Sequence, residues 1–118
     1  LAPNAKVIMI TSQGGSVSWR FTQNPHGHDY GHHMSKAAAN MGSVLLAQEL
    51  KSAGIPVAIL HPGFNKTEMT AKYKDIWEIE GAVDPSVGAK RVCHEIARLD
   101  ISRTGKFINC EDGLEIPF

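Results

Sequence analysis

The sequence predicts an α/β fold built on a parallel sheet, and three observations carry that prediction. Short apolar runs stand at Lys6 to Ile10, Val57 to Leu60 and Lys106 to Cys110, each followed by loop-forming residues, as strands buried on both faces are. Between the first two lies a stretch with apolar residues at helical spacing, and crossover helices are what join parallel strands. A second helical pattern precedes the third run, so strand and helix alternate along the chain.

The first run ends at Thr11-Ser12 and Gly14-Gly15 and reads as a buried strand entering a loop. Ser16 to Asp29, with Pro25, Gly27 and several polar residues but no helical period, reads as a long excursion of the kind that shapes a site. Met34, Ala37, Ala38, Met41, Val44, Leu45 and Gln48 then recur at helical spacing until Gly54 stops the helix ahead of Ile55-Pro56. That is a helix of about five turns. Val57 to Leu60 ends at His61-Pro62-Gly63 and completes a βαβ unit. Asp84-Pro85 supplies an N-cap and first-turn pair for a helix whose inward face is Val87, Val92, Ile96 and Leu99. Gly105 precedes the third strand, which Asp112-Gly113 closes.

Twelve Lys and Arg balance twelve Asp and Glu across the 118 residues, so with His neutral the net charge is zero. Neither nucleic acid nor an anionic membrane surface is favoured as a partner. No apolar run approaches the length of a membrane span. Cys93 and Cys110 are too few and too far apart for a disulfide framework or a paired zinc motif. Free thiols in the cytoplasm or another reducing soluble compartment are expected. The chain opens at Leu1 on a loop-like Leu-Ala-Pro-Asn, as a fragment does.

The most informative stretch is Tyr30 to Met41, YGHHMSKAAANM, where Lys36 follows His32 by four residues and the two side chains share a helix face. The run resembles the active-site helix of the short-chain dehydrogenase/reductase family, commonly written Tyr-x-x-Ser-Lys-Ala-Ala. Ser35, Lys36, Ala37 and Ala38 match, and His32 stands at the tyrosine position. Ser12 sits at the end of the first strand, where the family keeps its catalytic serine, with Gly15 at the usual offset. Pro62-Gly63, with Thr67 and Met69, resembles the Pro-Gly-x-x-x-Thr-x-Met segment that covers the nicotinamide and pyrophosphate. Gly105-Lys106-Phe107 and Asp112 to Phe118 resemble the seventh strand and tail, in the style of the subgroup around the bacterial C-factor and related carbonyl reductases.

The resemblance implies the C-terminal half of a doubly wound Rossmann-type parallel sheet, three strands with flanking helices, in which residues 1–118 form the C-terminal portion of a single domain. The family's Gly-rich turn, its acidic or basic selector, its Asn-Asn-Ala-Gly segment and its helix asparagine are not among these residues. It further implies an oxidoreductase that interconverts a small-molecule carbonyl and its alcohol by hydride transfer, with NADP or NAD as cofactor. Ser12, His32 and Lys36 are then the catalytic set, and Lys36, Pro62, Gly63, Asn65 and Thr67 the cofactor contacts. In the family the tyrosine phenol exchanges a proton with the substrate oxygen, the lysine lowers the phenol's pKa and binds the ribose, and the serine holds that oxygen. An imidazole titrates near neutrality, and the adjacent cation favours its neutral form. It also ends roughly 2 Å short of the phenol oxygen, and misplacement by about 1 Å can cost on the order of a hundredfold. The alternative is therefore a catalytically silent binding or assembly subunit.

Tyr30 lies six residues before Lys36, off its helical face, and reads as packing near the site mouth. A third class of function comes from His26, His28, His32 and His33, which fall within eight residues with Asp29 among them. Their spacing matches no recognised ligand motif, so no metal is expected. Trp19, Phe21 and Trp77 fall on segments expected to flank the cleft and point to an apolar or aromatic carbonyl compound. Ala37, Ala38, Ala39, Gly42 and Ala47 let the 34–50 helix pack closely on another, as the corresponding helix does across the family's dimer interface, so a homo-oligomer is expected.

Overall fold

A computed structural model describes residues 2–67, 70–78 and 80–118. The three apolar runs become strands β1 (Val7–Ile10), β2 (Val57–His61) and β3 (Phe107–Asn109), which form one parallel sheet in the order β1-β2-β3. Val7 lies opposite Val57 and Ile10 opposite Leu60, while Ile59 lies opposite Phe107 and His61 opposite Asn109. Among the described residues β1 pairs with β2 alone. Alternation along the strands divides the core into two layers. Ile59 and Phe107 pack with Ile116, Trp19 and Val44, whereas Ala58, Leu60, Ile108 and Cys110 pack with Leu99, Ile8, Val92 and Ile96.

The excursion after β1 contains a helix that the sequence pattern does not announce. Helix α1 (Val17–Gln23) buries none of its residues, so it has no apolar stripe to read. Polar bonds hold it, together with the packing of Trp19 on the core. The Ser16 hydroxyl accepts from Trp19 N at 3.1 Å, and Arg20 reaches back to the Ser16 carbonyl at 3.1 Å and the Gln13 carbonyl at 3.0 Å. The chain then passes through Gly27, His28 and Asp29 with φ of 80°, 78° and 56°, a left-handed run that turns it into the next helix. Two of these three residues carry a Cβ, and left-handed geometry costs such residues about 1–2 kcal/mol each.

Helix α2 (Tyr30–Leu50) is longer than expected and ends through a 3-10 turn, Lys51–Ala53, at left-handed Gly54. Its inward face keeps Val44 on the core but is otherwise shifted from the one the apolar residues suggest. Asn40, Ser43 and Ala47 are buried, while Met34, Met41 and Leu45 are 67%, 64% and 60% exposed. Small residues face inward because the loop after β1 comes very close. A Cβ on Gly15 would lie 2.7 Å from the Lys36 carbonyl carbon and oxygen and 2.6 Å from Asn40 Nδ2. On the other layer, helix α3 (Pro85–Arg98) starts at Pro85 after Asp84, as expected, and ends at Leu99. Val92, Ile96 and Leu99 pack inward, but Val87 is exposed.

Past β3 the chain reverses at Gly113 and runs back antiparallel, with Asn109 N donating to Leu114 O at 2.9 Å and Ile116 N to Phe107 O at 2.8 Å. Phe118 stacks on Phe107 at 5.4 Å. The Phe118 carbonyl accepts from the backbone of Val17 and Ser18, and the Ser16 hydroxyl donates to the Pro117 carbonyl. The tail thus satisfies free donors of the first turn of α1.

The contact at Gly15 makes a direct expectation. Gly15→Ala, made in the protein carrying this chain, should lower stability by about 1–3 kcal/mol, because the new methyl would meet the Lys36 backbone, which cannot step aside, as well as the Asn40 side chain. Urea unfolding followed by circular dichroism measures it, and an unchanged midpoint would contradict the packing described.

Candidate active site

Ligands of parallel α/β sheets bind beyond the carboxyl ends of the strands, and here those ends surround an open cleft of about 720 Å³. His61 closes β2, Asn109 closes β3, and Ser12 and Gln13 follow β1. Gln13, His61 and Asn109 line the cleft together with Trp19 and His32.

Ser12 caps the 3-10 turn Gln13–Gly15, its Oγ accepting from Gly14 N at 2.9 Å. His33 Nδ1 lies 2.8 Å from the Gly14 carbonyl and donates to it, which ties the same turn to the start of α2. A methyl placed on Gly14 would stand 3.2 Å from Ser12 Oγ, 3.1 Å from His32 Nε2 and 3.0 Å from His33 Nδ1. A hydroxyl and an imidazole therefore face one small region. The two imidazoles meet edge to face at 5.1 Å. Partial desolvation lowers the His32 pKa, helped by His33 and Lys36 and opposed by Asp29. Lys36, one turn further along α2, is half-buried, and its backbone carries the close contact with Gly15.

The expected cofactor contacts divide. Pro62 and Gly63 follow β2, and Gly63, at φ 93°, lines the cleft. Asn65 turns away: its Nδ2 donates to the Gly63 carbonyl at 3.3 Å, its Oδ1 is buried without a partner among the described residues, and a Cβ on Gly88 would overlap it. Thr67 is exposed and its N–H donates to Thr70 Oγ1 at 3.0 Å, so Thr70 reaches the cleft and Thr67 does not. Met69 lies outside the described residues. Tyr30 is exposed beside Gly27 and does not line the cleft. Of the large apolar residues, Trp19 does line it; Phe21 is 81% exposed and Trp77 donates to the Thr70 carbonyl at 3.1 Å, beside Lys66 and Lys74. Among the described residues no three His, Cys, Asp or Glu side chains are grouped to hold a metal.

His61 and Glu111 were not singled out by motif, yet both line the cleft. Strand alternation supplies the signal for His61, because it follows Ile59 by two residues and so shares its face. Burial pushes the His61 pKa down to about 4, against a smaller opposing pull from Asp112. The ring is thus neutral near pH 7, and its approach to Glu111, 3.8 Å, is not an ion pair there. Cys110, on the other layer, is pushed up to about 12 by burial and by Glu95 and Glu111, so its thiol stays protonated.

No family model matches the chain. It is 33% identical over 107 residues to 1-hydroxy-2-glutathionyl-2-methyl-3-butene dehydrogenase of Rhodococcus sp. (strain AD45), covering 91% of this chain and 44% of that protein. It is 31% identical over 113 residues to C-signal of Myxococcus xanthus, covering 96% of this chain and 61% of that protein. Both relatives are of the short-chain dehydrogenase/reductase kind that the motifs of this chain resemble. The fold agrees: the structure of NADPH-bound carbonyl reductase from chicken fatty liver matches with a TM-score of 0.81 at 24% identity, over 98% of this chain and 45% of that one. The chain thus spans about half the length of the relatives it matches. In this family setting the parallel sheet with helices on both layers is the expected Rossmann-type architecture.

The depressed pKa of His61 has a sign that can be tested. The unfolded chain binds a proton at this residue below about pH 6.5 and the folded chain only near 4, so its contribution to stability is complete above 6.5 and is lost as pH falls toward 4. The loss is on the order of 2–3 kcal/mol. Urea midpoints at pH 7.0 and 4.5 should therefore move apart less in His61→Gln than in the parent protein, and equal shifts in the two would contradict a buried neutral imidazole.

Proposed function

We propose that this chain is the C-terminal half of a nicotinamide-dependent oxidoreductase that interconverts a small-molecule carbonyl and its alcohol, with His32 at the position of the family's tyrosine. The observation that carries the reading is the approach of Ser12 Oγ and His32 Nε2 to one region above Gly14, at the strand ends and one turn from Lys36. Kinship with a dehydrogenase supports it. A lysine cation, a hydroxyl and a glycine turn at the strand ends suit the ribose and carboxamide of a nicotinamide, and NADPH is named with the chicken carbonyl reductase. In this reading Lys36 takes the ribose and Pro62 and Gly63 cover the ring. Asn65 steadies the Gly63 turn through its bond to that carbonyl, and Thr67 acts only on the shape of the segment, through its N–H bond to Thr70 Oγ1. NADP or NAD, when bound, supplies or receives the hydride.

Ser12 Oγ accepts from Gly14 N, which leaves its own proton free to donate to the substrate oxygen. His32 is the proton-transfer group. With its pKa lowered it is neutral near pH 7, so it stands ready to take a proton from an alcohol and must first be protonated to serve reduction. Carbonyl reduction by the protein carrying this chain should accordingly gain in kcat/KM as pH falls from 7.5 to 6. His32→Tyr restores the reach of a phenol and should raise reduction of aromatic ketones by NADPH or NADH at least tenfold at pH 7. A variant no faster than the parent, with cofactor still bound, favours a silent subunit.

A specific observation also supports assembly, under either reading. Met34, Met41 and Leu45, with Ala38 between them, form an exposed apolar stripe along α2. We propose that copies of the protein associate through this 34–50 helix, as the family's dimers do. Leu45→Glu should then lower the mass measured by light scattering toward that of one copy, and a mass already that of one copy in the parent would remove the idea.

A further inference from the structure

The chemistry just proposed sits where β1 ends and α2 begins, of which Gln13 and His32 line the cleft, and leaves His61 and the end of β3 without a role. Two side chains there are held in fixed relation. Cys110 N donates to the His61 carbonyl at 2.9 Å, which keeps the two strand ends level, and Glu111 N donates to Asn109 Oδ1 at 3.0 Å. Glu111 then crosses over Gly63: a Cβ at that glycine would lie 2.6 Å from Glu111 Cγ. The crossing brings Glu111 Oε1 to 3.8 Å from His61 Nε2, both lining the cleft. That separation is too long for a direct hydrogen bond, yet short enough for one oxygen atom to bond with both groups.

The tautomer follows from the inner side of the ring. His61 Nδ1 is buried and has no hydrogen-bond partner among the described residues. A proton there would be stranded without an acceptor, so the neutral ring keeps its single proton on Nε2, facing Glu111. The cleft thus presents one N–H donor and one carboxylate acceptor side by side. A hydroxyl accepts from the first and donates to the second; an ether can do only the former, and a methyl neither.

We propose that His61 and Glu111 form a hydroxyl-binding subsite, which makes the preferred ligand a carbonyl compound, or its alcohol, that bears a second hydroxyl away from the reacting oxygen. The inference rests on the cleft being the substrate site of the proposed oxidoreductase, but binding alone tests it. Isothermal titration of the protein carrying this chain with 2-, 3- and 4-hydroxyacetophenone and their methyl ethers should give at least one phenol bound about fivefold or more tightly than its ether. His61→Leu and Glu111→Met should each reduce that preference to less than twofold. His61→Asn, which keeps an N–H donor and a polar side chain, should retain part of it and covers the case in which leucine upsets the fold. Circular dichroism of each variant accompanies the titrations. Equal binding of every phenol and ether, no binding of any of them, or a preference that survives both His61→Leu and Glu111→Met would overturn the subsite. Turnover with NADPH is read separately: a phenol preference without turnover keeps the subsite and counts against the oxidoreductase reading, whereas turnover without a preference does the reverse.

Discussion

The structure depends on one close approach, that of the turn after β1 to the side of α2. At Gly15 the two backbones come together so tightly that a single added carbon would meet the Lys36 carbonyl. That distance fixes how far the turn carrying Ser12 stands from the helix carrying His32 and Lys36. It also explains the composition of the helix's inner face, where Asn40, Ser43 and Ala47 replace the larger apolar residues that helices usually bury. In the proposed function the geometry of the site and local packing are the same constraint, because groups on two elements hold their spacing only as well as the elements hold theirs.

The two layers of the sheet divide the remaining work. The α3 layer is apolar throughout the strands, with Ala58, Leu60, Ile108 and Cys110 forming a continuous packed surface. The α2 layer begins in the same way, at Val57, Ile59 and Phe107, and turns polar at the strand ends, at His61 and Asn109. A buried strand that changes character in its last residue is packed along most of its length and polar at its tip. This suits a fold whose ligand sites lie beyond the strand ends.

Much of this was legible in the sequence for identifiable reasons. The strands were read to within a residue or so at either end because runs such as Val57 to Leu60 are apolar without interruption, which only a strand covered on both faces tolerates. The order of Ser12, the α2 motif and Pro62-Gly63 carried the family. What escaped was structure held by polar bonds. Helix α1 depends on Ser16, Arg20 and the tail carbonyls, partners that hydrophobic periodicity does not register. The facing of α2 escaped because apolar residues normally mark the buried side, and here the tight approach at Gly15 reserves that side for small ones. Asn65 and Thr67 fit a family pattern in sequence, but the turn after Gly63 carries their side chains elsewhere.

The strap formed by the tail has a consequence for the order in which the protein folds. Ser16 and Pro117, joined by a hydrogen bond, are 101 residues apart. Closing so long a loop is entropically demanding and favours late formation over the local contacts of α2 or the βαβ unit. The start of α1, at Ser16 to Ser18, is therefore completed after β3 has joined the sheet and the tail has turned back across it. During synthesis or refolding, most of the chain acquires its architecture while this corner is still open. The same contacts are then the natural first point of local opening in the finished protein, since only the half-buried Trp19 holds α1 to the core once the tail lets go.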